Sequence, residues 1–84
     1  MSCYFIVGIR VDNRTSNALK LQEALTGHGC NIKARLGLHE ADGNSCSTDG
    51  LIVLHLCGEL AQVEEMMESL NALPGITAQF MDLN

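Results

Sequence analysis

Residues 30–57 decide the fold: Cys30-Asn31-Ile32-Lys33-Ala34-Arg35-Leu36-Gly37-Leu38-His39-Glu40, a polar stretch to Thr48, then Asp49-Gly50-Leu51-Ile52-Val53-Leu54-His55-Leu56-Cys57. Two apolar-alternating runs flank a segment rich in Gly, Asn, Ser and Asp, the pattern of a β-hairpin with a long loop. Period-two alternation sends Ile32, Ala34, Leu36 and Leu38 to one face of the first strand and Lys33, Arg35, Gly37 and His39 to the other. The second strand divides Ile52, Leu54 and Leu56 from Leu51, Val53, His55 and Cys57. The even-numbered side is expected to be core and the odd-numbered side open.

Upstream, Phe5, Val7, Ile9 and Val11 alternate with Tyr4, Ile6, Gly8 and Arg10, which predicts a strand over residues 3–11. Asp12-Asn13-Arg14-Thr15-Ser16-Asn17 breaks it with residues that cap helices. The helix that follows is expected to run to about His28, with Ala18, Leu21 and Leu25 on its buried stripe. Gly27-His28-Gly29 ends it. Downstream, residues 59–72 read as a second helix with Leu60, Val63, Met67 and Leu70 inward, Glu59, Glu64, Glu65 and Glu68 outward, and Pro74-Gly75 as the stop.

A last strand over 76–81 completes the order β-α-β-β-α-β. This is the split βαβ order of α+β, ferredoxin-like folds: a four-stranded antiparallel sheet with both helices on one face. Residues 1–84 are expected to form one domain. The second sheet face is left open, carrying Tyr4, Ile6, Leu51 and Val53 beside Arg10, Lys33, Arg35, His39 and His55. That much exposed apolar surface predicts a homo-oligomer, dimer or tetramer, associating through the sheet. With only 4% aromatic residues and four methionines, the core is aliphatic and small, which points the same way.

Composition excludes several classes. The formal charge is −5 and no Lys/Arg cluster exists, so the footprint of a nucleic-acid binder is missing. No apolar run approaches the ~18 residues of a membrane span. Met1-Ser2-Cys3-Tyr4-Phe5 has no basic region before its apolar run and does not read as a signal peptide; the expected location is the cytoplasm. Cys3, Cys30, Cys46 and Cys57 show neither a disulfide framework nor a Cys-x-x-Cys pair, so Cys3, Cys30 and Cys57 are expected to be small packing residues.

Candidate chemistry is sparse. His39 and Cys46 flank the hairpin loop and, with His55, could supply imidazole and thiolate to a transition metal such as nickel or zinc; an incidental polar hairpin tip and an interface histidine are the competing readings. Arg10 and Arg35, placed on the open face, could clamp a carboxylate or phosphate, or pair with a neighbouring subunit. Asp12, Asn13 and Arg14 lead into a helix N-terminus that could hold an anion or simply be capped. A ligand pocket is therefore expected from Asp12, Asn13, Arg14, Arg35, Gly37 and His39. No Ser/His/Asp set, acid dyad or activated cysteine is recognisable, so no enzyme is expected.

Three segments also carry a resemblance: Gly8-Ile9-Arg10-Val11-Asp12-Asn13-Arg14, Leu25-Thr26-Gly27-His28-Gly29-Cys30, and Ile32 through Glu40. With Leu70-Asn71-Ala72-Leu73-Pro74-Gly75-Ile76 they resemble a small bacterial family described as iron-only hydrogenase system regulators with an ACT-like domain. The resemblance implies an ACT-like ferredoxin fold, oligomerisation through the sheet, and a regulatory, ligand-binding role connected with transcription. More distantly the chain is similar to the C-terminal metal-sensing domain of nickel-responsive repressors. Their DNA-binding segment and their histidine pattern are not reproduced here. Amino-acid-binding ACT domains place a glycine after the aspartate of the first turn, where this chain has Asn13 after Asp12.

Overall fold

A computed structural model describes the backbone of residues 2–12, 18–42 and 45–84, and side chains for 2–12, 19–37 and 50–84. The elements are β1 (Ser2–Val11), α1 (Ala18–Gly27), a single 3-10 turn (Gly29–Asn31), β2 (Ile32–Asp42), β3 (Ser45–Gly58), α2 (Leu60–Asn71) and β4 (Ile76–Asp82). The four strands form one antiparallel sheet in the order β2-β3-β1-β4. With two helices on one face, this is the α+β ferredoxin-like architecture.

The core lies between that face and the helices. β1 contributes Phe5, Val7 and Ile9, β3 contributes Ile52, Leu54 and Leu56, and β4 contributes Ile76 and Ala78. Against them pack Leu21 and Leu25 of α1 and Val63, Met66, Met67 and Leu70 of α2. The Phe5 and Phe80 rings meet edge to face, centroids 6.2 Å apart, a geometry the ring quadrupoles favour. The alternation thus sorts Phe5, Val7, Ile9, Ile52, Leu54 and Leu56 as expected, while Cys57, expected on the open side, is buried.

The buried stripe of α2 sits differently from expectation. Leu60 is 45% exposed, while Met66 is buried. Val63, Met66, Met67 and Leu70 follow the i, i+3, i+4, i+7 spacing of one helix face, and Leu60, in the first turn, lies off the covered part of the sheet. At the start of that helix, Glu59 N–H donates to Gln62 Oε1 at 2.9 Å, satisfying one of the groups a helix N-terminus leaves open.

β2 overturns the even-face expectation. Ile32 stands opposite Leu56, but the register then shifts, so that Ala34 faces His55, Arg35 faces Leu54, Leu36 faces Val53 and Gly37 faces Ile52. Lys33 is the extra residue of a bulge, and one extra residue flips every later side chain to the other face. Ile32 alone among the described β2 side chains packs against the core. Leu36 is 57% exposed on the open face, and Arg35 turns toward the helices, where its NH1 donates to Gln22 Oε1 at 2.8 Å.

The long polar loop is also largely strand. After a second register shift between His39 and Ala41, pairing resumes at Ala41↔Cys46 and Asp42↔Ser45, beyond the last β1–β3 pair at Val11↔Gly50. A ladder is held by backbone groups, so a ribbon with no strand beyond it needs no apolar alternation.

Candidate functional site

The register places side chains of the open face in transverse rows, because directly opposed residues of antiparallel strands share a face. One row runs Ala34, His55, Ile6, Met81; the next runs Leu36, Val53, Gly8, Gln79. Arg10 stands in a third, between Leu51 and Thr77. Gly8 occupies the centre without a side chain, and a Cβ built there would meet no atom within 4 Å. Around it Ile6, Leu51, Val53, Gln79 and Met81 frame a shallow trough of about 460 Å³. Of its lining, Leu51 and Met81 are exposed, and Leu36 and Tyr4 elsewhere on the face bring the range of exposure to 43–65%.

At one end of this face His55 Nε2 lies 2.6 Å from the Cys3 carbonyl oxygen. A carbonyl only accepts, so Nε2 carries the proton. Cys3 itself is disulfide-bonded to Cys57. This corrects the expectation that both are free packing residues: the antiparallel pairing of β1 with β3 brings together cysteines 54 positions apart, which spacing alone does not reveal. Cys30 is free and exposed.

The expected ligand set is brought together only in part. His39 pairs with Gly50, Gly50 with Val11, and Val11 with Ile76. His39 and Asp12 therefore stand at the same end of the sheet with β3 between them, their strands roughly 10 Å apart. Asp12 N–H donates to Gly75 O at 2.8 Å, extending the β1–β4 ladder. Asn13 and Arg14 lie outside the described residues, as does the His39 side chain. Gly37 shares Ile52's side of the sheet. Arg35 is on that side too, so it cannot clamp a ligand with Arg10 on the open face.

The three-residue metal set is separated by the register. His55 lies five positions along β3 from Gly50, the partner of His39, which is roughly 17 Å at a strand's rise. Its Nε2 is already engaged by Cys3. His39 and Cys46 remain near one another in backbone register, Cys46 facing Ala41, with their side chains outside the described residues. Among the described residues no group of three or more His, Cys, Asp or Glu side chains gathers to hold a metal. No described buried side-chain polar atom lacks a partner.

Sequence reasoning missed Leu36 and Met81 as parts of the open face, whereas the alternation of β1 had already placed Gly8 there. Nothing in the alternation marks the bulge at Lys33, whereas Met81 could have been found by extending the period-two count of β4 from Ile76.

These features define a ferredoxin-like α+β chain whose helices leave one sheet face, of mixed apolar and polar side chains, uncovered. Among solved structures it is similar to the uncharacterized protein TM1266 of Thermotoga maritima, with a TM-score of 0.82 over 95% of each chain at 19% sequence identity. That likeness is one of fold, and fold alone does not carry function. No family model and no curated protein matches the sequence. Among the described residues, no helix is long and apolar enough to cross a membrane.

Proposed function

We propose that the chain is a non-enzymatic, homo-oligomeric regulatory domain that binds a small ligand or a protein partner through the open face of its sheet. Its sequence resemblance to hydrogenase-system regulators directs the reading toward such a system. The observation that carries it is the trough over Gly8, framed by Ile6, Leu51, Val53 and Met81. A small chain that leaves Leu36 and Met81 each 57% exposed beside an apolar depression has a surface suited to association.

The ligand arm is tested by thermal shift against amino acids and related metabolites. At ~100 times Kd a ligand adds about 2.7 kcal/mol, which for a domain this small raises Tm by roughly 10 °C or more. At Gly8 a Cβ meets nothing within 4 Å; Gly8→Leu projects its side chain into the trough and should lose the response while keeping the wild-type circular dichroism. A wild type unmoved across the panel leaves a protein partner, a second copy included, as the occupant.

A further inference from the structure

The Cys3–Cys57 bond joins strands that already hold one another. β1 and β3 are paired without interruption from Phe5↔Leu56 to Val11↔Gly50, and Phe5, Val7, Leu54 and Leu56 between them are buried. The bond lies at the irregularity of that ladder, between Ser2↔Gly58 and Phe5↔Leu56. Two structural features meet there. On the open-face side, the Cys3 carbonyl is held by His55 Nε2 at 2.6 Å, and the next residue, Tyr4, is 65% exposed. On the other, Cys57 leads into Gly58, whose φ is +151° and whose missing Cβ would fall 2.7 Å from Asn31 Nδ2 and 2.8 Å from Gln62 Oε1. The pair thus stands between the rim of the sheet face and the entry of α2.

We propose that Cys3 and Cys57 form a reversible thiol–disulfide switch that sets the rim of the open face through His55 and Tyr4. Its effect on binding or assembly rests on the role proposed for that face; the redox chemistry does not. Reduction proceeds by exchange with a dithiol. One thiolate of the dithiol attacks Sγ of Cys3, which is half-buried where Cys57 is only 4% exposed. The Cys3–Cys57 bond breaks, a mixed disulfide forms on Cys3, and Cys57 leaves as a thiolate that takes up a proton. The second sulfur of the dithiol attacks its own mixed-disulfide sulfur, leaves as the oxidised disulfide, and releases Cys3 as a thiolate that is protonated in turn. Two electrons have passed from dithiol to protein. Reoxidation is the reverse exchange with a disulfide of the same class.

The test equilibrates the full chain in buffers of reduced and oxidised dithiothreitol, then alkylates and weighs peptides while recording amide NMR spectra. Exposed Cys30 is the internal reference for labelling. The expected result is one two-electron transition that adds two alkylated sites, Cys3 and Cys57, with helix content retained. Amide shifts should concentrate at residues 3–6 and 55–58 and reverse on reoxidation. Cys3→Ser should hold the reduced spectrum in every buffer. A pair that reacts only after denaturation, a chain that unfolds on reduction, or amides that do not move would each overturn the switch. A chain monomeric in both states whose amides still shift supports the switch and overturns only the assembly reading.

Discussion

The Asn71 side chain pairs with the backbone of Ala78 as a neighbouring strand would: Nδ2 donates to the Ala78 carbonyl at 2.9 Å, and the Ala78 N–H donates to Oδ1 at 2.8 Å. β4 is an edge of the sheet, and this amide from the last residue of α2 covers backbone groups that would otherwise offer a template for another chain. Asn71→Ala leaves a donor and an acceptor unpaired and should destabilise by about 1–3 kcal/mol. Asn71→Asp keeps the acceptor but loses the donor, and should fall between. Urea midpoints at constant m-value read both; midpoints equal to wild type would remove the pairing from the account.

Gly58 and Gly8 should respond oppositely to alanine. At Gly58 φ is +151°, a conformation that side-chain-bearing residues rarely adopt, and a Cβ would also push aside the ends of the Asn31 and Gln62 side chains, so Gly58→Ala should cost on the order of 1–3 kcal/mol. At Gly8 a Cβ meets nothing within 4 Å, and a strand glycine carries an entropic penalty. Gly8→Ala should therefore be neutral or gain roughly 0.5 kcal/mol. Thermal melts of the two variants side by side decide this.

The bulge at Lys33 makes its own prediction. Leu54 is fully buried, and Leu54→Ala should cost about 2–5 kcal/mol. Leu36, on the open face, should lose no more than about 0.5 kcal/mol of fold stability when cut to alanine, measured at concentrations where any oligomer has dissociated. A Leu36→Ala penalty as large as that of Leu54→Ala would restore the unbroken alternation and its even-numbered core.

How far the sequence reveals the molecule depends on which side of that bulge a residue lies. In β1 and in β3 as far as Leu56 alternation and environment agree: Phe5, Val7, Ile9, Leu54 and Leu56 are buried as their spacing predicts. Pro74-Gly75 ends α2 as composition suggests, with Gly75 at φ 81°. After Lys33 the same alternation misleads, because a bulge is a backbone event that leaves the residue pattern unchanged. The sign of Arg35's face changes with it, which dismantles the Arg10–Arg35 clamp. The Cys3–Cys57 bond was hidden for a different reason: its partners meet only once register is known. The open face itself was legible, since Ile6, Leu51 and Val53 were already on it, and the bulge adds Leu36.

Association through that face is the central claim, and the mass of the intact chain in solution tests it most directly. Sedimentation equilibrium at micromolar concentration should return a multiple of the 9.1 kDa protomer. Leu36→Glu combined with Val53→Glu puts two charges in adjacent positions of one open-face row and should give a folded monomer with unchanged circular dichroism. A wild-type chain that sediments as a monomer across the micromolar range would contradict the account.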